Sequence, residues 1–338
     1  YRTIGISPLR LASLPKSTEP HTEWLIQVAR ESRPEYYSST FDYRHRIEWT
    51  ENPVRRSRIV FDVFHLSYVN LDISNDFADW LETEDNAVLK LRFSDYALTG
   101  SRIGWRSLVG SNGGNMNLSF EWSGMASKLL SPLLGWEVSD DGEVKIGEVP
   151  VIKFLRVDGS WVMKNKLFNR EDMVFKSRFR FGGAFVGEGT ETLPYSKGFF
   201  GGGLNGIRGW PIRELGPGNY SETSSTQGVL RGVGDYRLDI SSEFRFKWTS
   251  LMTVALFADA GNIWQYGIGD NDGTSWSSSG FSSIALGAGI GLRLDFDFFL
   301  IRLDAALRLH DPTHLDGERW FIESRPSGAF HLGLGHPF

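Results

Sequence analysis

The chain of 338 residues contains no cysteine. That leans only weakly toward an oxidising compartment such as the periplasm, because a reducing cytosol does not forbid the residue. No run approaches eighteen consecutive apolar residues, which excludes a transmembrane helix but not a membrane. A barrel strand alternates lipid-facing and lumen-facing side chains, so the mean hydropathy of −0.25 fits a membrane barrel as well as a soluble protein. There is no excess of positive charge: the net charge is −5 and the pI is about 5.9, which argues against a dedicated nucleic-acid binder. The opening Tyr1-Arg2-Thr3-Ile4-Gly5 lacks a signal-peptide pattern, so the chain reads as a mature protein or as a fragment that starts inside one. The glycine run 201–203 is followed by no Gly-Lys-Ser/Thr, which excludes a phosphate loop, and no G-x-S-x-G elbow is present.

What is abundant is glycine, with 38 residues, and aromatic side chains at 14%, and both fall in a pattern. Period-two alternation is the dominant local signal. In 41–49, Phe41, Tyr43, His45, Ile47 and Trp49 take one face, and Asp42, Arg44, Arg46 and Glu48 the other. In 174–181, Phe175, Phe179 and Phe181 oppose Lys176, Arg178 and Arg180. In 237–248, Leu238, Ile240, Phe244, Phe246 and Trp248 oppose Arg237, Asp239, Glu243, Arg245 and Lys247. In 301–310, Ile301, Leu303, Ala305, Leu307 and Leu309 oppose Arg302, Asp304, Arg308 and His310. In 284–296 an aliphatic face opposes one carrying Gly287, Gly289, Gly291 and Arg293.

Two barrel types would show such strands. A soluble barrel points its apolar face inward; a membrane barrel points it at lipid and keeps the charges in a wet lumen. Trp49, Trp122, Trp248 and Trp264 near strand ends suit the headgroup level and favour the membrane version. Gly287, Gly289 and Gly291 would leave holes in a soluble core, but are natural where another element approaches the wall closely. Connections sort by length. Short turns are expected near 50–56, 110–114, 165–172, 248–250 and 295–298, alternating with long loops near 15–37, 72–88, 125–148, 188–234, 266–281 and 311–327. About twelve strands result, all-β, in an antiparallel up-and-down transmembrane barrel. Short helices are expected in two long loops: one over 22–30, with Trp24, Leu25 and Val28 on one side, and one capped by Ser74 with Phe77, Trp80 and Leu81.

The loop 188–234 exceeds ordinary loop lengths and is the richest in glycine. Arg208, bracketed by small residues and followed by Trp210, suggests a hairpin tip holding out a guanidinium. Such a cation inside a lumen needs carboxylates, and Glu243 and Asp259 sit on the next two strands, facing the lumen. Here the chain resembles a family. Ile207-Arg208-Gly209-Trp210 is similar to the loop-tip motif of the BamA/TamA superfamily of outer-membrane assembly and translocation barrels. Trp210 stands where Phe or Tyr is commoner. Phe257-Ala258-Asp259-Ala260-Gly261 resembles that family's F-x-D-x-G strand, Ser242-Glu243-Phe244 its glutamate strand, and Gly289-Ile290-Gly291-Leu292-Arg293 its G-x-G-x-R strand. The terminal aromatic Phe338 is typical of a last barrel strand. The lead-in Tyr195–Phe200 and exit Leu215–Gly218 look more like TamA than BamA.

The resemblance covers about 188–338 and implies a barrel of about sixteen strands whose sixth extracellular loop folds into the lumen, Arg208 pairing with Glu243 and Asp259. Residues 1–338 are then expected to be the C-terminal part of one barrel domain. About seven strands would precede the long loop and about five follow it, with about four N-terminal strands and the periplasmic domains absent. The implied role is non-enzymatic: insertion or translocation of polypeptides at the outer membrane of a Gram-negative bacterium. Client strands would pair at a seam formed by the last strand with Phe330, Leu332, Leu334 and Phe338. Expected partners are outer-membrane lipids, client outer-membrane or secreted polypeptides and periplasmic or lipoprotein subunits, with no nucleic acid, cofactor or metal. His310-Asp311-Pro312-Thr313-His314 has metal-ligand types without a supporting constellation, and Asp270-Asn271-Asp272-Gly273 lacks the later glutamate of a calcium loop, so both read as polar turns. The rivals are a passive porin, which has no need of an arginine-tipped loop, and a barrel enzyme such as a phospholipase, which needs a Ser/His set.

Overall fold

The computed structural model describes residues 18–83, 87–110, 113–140, 142–219, 232–266, 273–296, 298–314, 317–321 and 327–335. Twelve strands form one sheet ordered as they occur in the chain: β1 (His21–Ser32), β2 (Tyr36–Asn52), β3 (Ser57–Ile73), β4 (Tyr96–Val109), β5 (Gly114–Ser123), β9 (Phe154–Lys166), β10 (Met173–Val186), β11 (Tyr236–Lys247), β12 (Met252–Trp264), β13 (Ala285–Asp295), β14 (Leu300–His310) and β15 (Gly328–Leu334). Seven precede the long glycine-rich connection and five follow it, as the alternation predicts. Three short strands, β6 (Glu137–Val138), β7 (Val144–Ile146) and β8 (Val149–Pro150), make a separate sheet. Among the described residues no helix is long and apolar enough to cross a membrane.

The chain divides into two compact units. The first holds residues up to Leu108, Asn117–Asp158 and Ala184–Lys197; the second holds Val109–Met116, Gly159–Gly183 and Gly198–Phe338. In the first unit β2 pairs β3 with Phe41 opposite Tyr68 and Tyr43 opposite Leu66 on one face, and Asp42 opposite Ser67 on the other. Helix α1 (Asn75–Thr83) starts where the Phe77 amide donates to Ser74 Oγ at 3.4 Å. Its Phe77 packs edge-on against Phe93 at 5.1 Å, and Phe93 stacks on Tyr195 at 4.9 Å. The short helix α2 (Ala87–Arg92) leads into this aromatic cluster.

One expectation fails. Residues 22–30 are strand, not helix, and the long loop expected over 15–37 is a three-residue turn at 33–35. Trp24, Leu25 and Val28 do fit a helical stripe, but Trp24, Ile26 and Val28 also recur every second residue. Pairing with His45, Tyr43 and Phe41 on β2 supplies the partners that select the strand. The remaining connections sort as anticipated. The turns 53–56, 110–113, 167–172, 248–251 and 296–299 are short; 74–95, 124–153, 187–235, 265–284 and 311–327 are long.

The second unit shows which way the faces point. On β11 to β15 the charged residues are inside: Glu243 is 0% exposed, Asp259 2%, Arg293 1% and Asp304 0%. The apolar residues are outside: Leu256 is 54% exposed, Ile290 61% and Phe330 69%. This inverts the order of a soluble protein and fits a wall with lipid outside and polar groups within. Leu256 and Ile290 are cross-strand partners in mid-wall. An arginine at either, Leu256→Arg or Ile290→Arg, is expected to cost about 2–4 kcal/mol of stability in vesicles. Leu256→Phe should stay within about 0.5 kcal/mol of the parent. Denaturant titration of the reconstituted protein measures both, and an arginine tolerated at these positions would contradict the assigned lipid face.

Candidate functional site

Register decides which side chains meet in the second unit. Glu243 on β11 lies opposite Phe257 on β12, and Ser241 opposite Asp259. With a side-chain period of two, Glu243, Phe257 and Asp259 share one face. On β13, Gly287 lies opposite Asp259, Gly289 opposite Phe257 and Gly291 opposite Ala255. On β14, Asp304 lies opposite Gly291, and on β15 His331 lies opposite Asp304. The same face therefore offers carboxylates from three strands, an aromatic ring, and a track without side chains on β13.

The connection between β10 and β11 lies on this face. Its base is closed by paired backbone bonds between Phe199 and Gly234, each 2.8 Å. Its tip is a compact turn in which the Gly203 amide donates to the Trp210 carbonyl at 2.8 Å. Gly202 and Gly203 both take positive φ, and a Cβ on Gly203 would meet Ile212 at 3.2 Å, so the tip needs glycine there. Ile207, Trp210 and Leu215 are buried together with Ala285. The exit is pinned to β12: Gly218 donates its amide to the Ile263 carbonyl at 2.8 Å, and the Asn262 amide donates to the Gly218 carbonyl at 2.8 Å.

Arg208 at the tip is 1% exposed. Its Nε and Nη2 donate to the two oxygens of Asp259 at 2.7 and 2.9 Å, a two-pronged contact that matches guanidinium to carboxylate. Nη1 donates to Glu243 at 2.8 Å, and the Arg208 backbone amide donates to Asp259 at 3.1 Å. The guanidinium carbon stands 3.5 Å from the centre of the Phe257 ring. A wider set of charges surrounds this contact. Glu243 also accepts from Arg245 at 2.7 Å and Arg293 at 3.1 Å, and Arg293 bridges on to Asp304. Arg302 donates to the Asn205 side chain at 2.9 Å, and Arg178 to the Asn205 carbonyl at 2.8 Å. Arg308 donates to the Gly209 carbonyl at 3.0 Å and lies over Trp210, 5.0 Å from its ring centre.

Arg308 is itself held by Asp311, which follows β14. Burial alone would raise the Asp311 pKa. The Thr313 hydroxyl and amide, with Arg308, outweigh it, and the carboxyl titrates below the ordinary range. The stretch beginning at His310 is thus an ordered turn, in which His310 Nδ1 also bonds the Ile284 carbonyl at 2.7 Å.

At Gly287 the tip lies close against the wall, and Gly289 and Gly291 make room for other side chains. A Cβ on Gly287 would lie 3.3 Å from the Gly209 nitrogen, and one on Gly289 would lie 2.6 Å from the Phe257 ring. One on Gly291 would meet Asp304 and Arg293. On the last strand, Phe330, Leu332 and Leu334 point outward and are largely exposed; Phe338 and the turn 270–272 lie outside the described residues.

Three features escape a reading of the sequence. Asp304 joins the charge cluster, His331 Nε2 bonds the Arg208 carbonyl at 2.9 Å, and Leu204 fills the space over Gly333 that any Cβ would occupy. Alternation puts Asp304 and His331 on the polar face, but only strand register brings them level with Arg208.

The family profile of the Omp85 superfamily domain matches residues 141–338. The outer membrane protein assembly factor BamA of Neisseria meningitidis serogroup B is 32% identical over 105 residues, covering 30% of this chain and 13% of that protein. Among solved structures, BamA from Haemophilus ducreyi lacking POTRA domains 1–3 aligns over 93% of this chain and 59% of its own, at 13% identity and a TM-score of 0.56. CdiB from Acinetobacter baumannii aligns over 82% of this chain and 40% of its own, at 11% identity and a TM-score of 0.47. The chain thus spans less than two thirds of each of these relatives.

Removing Arg208 leaves Glu243 and Asp259 short of their cation in a confined site. Arg208→Ala is expected to lower stability by about 3–5 kcal/mol, and Arg208→Lys should recover little because lysine cannot span both oxygens of Asp259. Heat-dependent gel mobility of the folded barrel reads this, and an unchanged transition would refute it. Gly287→Val should force Gly209 away and cost stability in the parent but little more on top of Arg208→Ala, since both changes release the same tip. A double-mutant cycle tests that non-additivity.

Proposed function

This chain belongs to the Omp85 superfamily and is an integral outer-membrane β-barrel of a Gram-negative bacterium; on that premise we propose that it inserts or translocates other polypeptides, without enzymatic chemistry, through a seam beside β15. The observation that carries the reading is the arginine-tipped connection. It occupies the polar face, is fastened by Asp259 and Glu243, and reaches the last strand of the order through His331 and Gly333. A passive pore gains from an open lumen and has no use for a buried ion pair that fills it. An assembly barrel needs an inner element that keeps the lumen sealed while the wall yields at one edge.

β15 has the properties such an edge requires. In the strand order its neighbour is β14, to which it pairs from Gly328 to Leu334. Among the described residues no strand pairs its other backbone edge, whose amides and carbonyls could receive an incoming strand, the means by which β-augmentation works. Phe330, Leu332 and Leu334 give a client strand an apolar outer neighbour in lipid. Gly333 within β15 and Gly335 just after it weaken extended pairing at this end of the strand, which suits an edge that exchanges partners. Client outer-membrane or secreted polypeptides are the substrates of this reading, with periplasmic or lipoprotein subunits as delivery partners.

A photo-crosslinking residue placed at Leu332 is expected to capture a client polypeptide during assembly, while the same residue at Leu256, on the lipid face away from β15, should not. Equal capture at both positions, or client insertion with no capture at Leu332, would overturn the seam. Planar-bilayer conductance separates the passive pore. The intact barrel should show small, unsteady conductance that rises when 198–219 is deleted; a large steady conductance of the intact protein together with normal client assembly would favour the pore.

A further inference from the structure

The connection between β5 and β9 carries the helix α3 (Ser127–Leu134), and its polarity is reversed. Ser127 and Ser131 are buried, donating their hydroxyls to the carbonyls of Gly124 at 2.7 Å and Lys128 at 2.9 Å. Leu129 and Leu133, four residues apart, lie on the opposite side of the helix, and Met125, in the turn just before it, is also exposed; Leu129 is 81% exposed and Leu133 80%. Nothing in folding water-exposed loops favours this order, because a surface helix ordinarily buries its apolar stripe. Helices that lie in a lipid interface show it: the apolar line enters the acyl boundary and the polar side faces away.

The position of α3 points to the same environment. The helix packs against β6 and β7. The small sheet they belong to forms an apolar cluster of Val144, Val149 and Val151 around Ala97, with Tyr68, Trp136 and Ile146 against it. Tyr68 lies opposite Phe41 and Ala97 opposite Tyr68, on the apolar face of the wall, so this cluster rests on the face that continues into lipid. Phe120 and Trp122, with rings 5.5 Å apart, alternate onto that face at the end of β5, and the chain enters α3 only a few residues later. Tryptophan at a strand end marks the headgroup level.

We propose that α3 is an interfacial anchor, with Met125, Leu129 and Leu133 inserted into the outer leaflet of the membrane beside the wall. Its partner is lipid, at the boundary between headgroups and acyl chains. The helix extends the lipid-facing band of the first unit beyond its strands and fixes the connection 124–153 flat against the bilayer. This reading needs only a barrel in a membrane and stands whether or not the barrel assembles clients.

None of these 338 residues is cysteine, so a thiol introduced among them has no native competitor within this region. Full-length protein with Leu129→Cys, Leu133→Cys or, as an exposed reference, Asp140→Cys is labelled with an environment-sensitive fluorophore. It is then reconstituted into phosphatidylethanolamine–phosphatidylglycerol vesicles. Nitroxide attached near the lipid headgroup is expected to quench the labels at 129 and 133 by about twofold or more, with little quenching by aqueous iodide. The reference label should behave in the opposite way. Quenching of 129 and 133 by iodide as strong as at 140 would overturn the proposal. So would protection from both quenchers, which would place a protein contact there instead. A second arm guards against local misfolding. Leu129→Asp with Leu133→Asp removes only exposed side chains, so it should fold as the parent in detergent, yet abolish nitroxide quenching of a label at Met125→Cys; retained quenching would also overturn the proposal.

Discussion

The second unit depends on one buried cation. A guanidinium in a site from which solvent is almost excluded has to be neutralised, and Arg208 finds its counter-charges on the wall. The carboxylates of Asp259 and Glu243 come from adjacent strands, so satisfying the charge fixes the connection to the wall and the tip to a particular height on it. Buried ion pairs are weak evidence for stability because desolvation offsets much of their attraction. Their value here is in position. A hydrophobic tip could slide along the wall; one held by a forked contact, a ring face and a backbone amide has a single seat.

The rest of the polar face is arranged around that seat. Asp259 is given to Arg208, while Glu243 and Asp304 each serve more than one arginine, and the arginines beyond Arg208 reach either a shared carboxylate or the loop. On β13, Gly287 leaves room for the tip, and Gly289 and Gly291 leave room for the Phe257 ring and the Asp304–Arg293 pair. These are opposite devices, dense charge on β11, β12 and β14 joined by Arg293 of β13, and bare backbone at Gly287, serving the same close approach. The first unit solves a different problem with aromatic packing, closing Phe77, Phe93 and Tyr195 over the end of its strands.

Alternation made the wall legible in the sequence, because a strand with lipid on one side and polar groups on the other has no freedom in its period. It also gave the number of strands on each side of the long connection and the sorting of most turns. It failed at 22–30, where a helical and a strand period both fit and only the neighbour β2 selects between them. Arg208 was legible because small residues bracket it ahead of an aromatic, and Glu243 and Asp259 because alternation puts them on the polar face within motifs that resemble a known family's. Asp304 and His331 were not, since nothing near them in sequence distinguishes them from other polar-face residues. Their part follows from register across three strands, which is a property of turns and bulges such as the shift at Leu286/Gly287 and not of the strands themselves. The reversed helix α3 was equally hidden, as burial of its serines depends on a small sheet formed later in the chain.

The two fastenings of the tip differ in what they demand of heredity. Asp259 and Glu243 recognise the side chain at position 208, and a codon change there breaks them. His331 recognises the carbonyl of the same residue, which every amino acid carries. Substitution at 208 can therefore remove the side-chain ion pairs of the tip with β11 and β12 while its link to the last strand persists, and substitution at 331 does the reverse. The two attachments can drift independently, and a lineage could retune how firmly the terminal strand is held without touching the arginine.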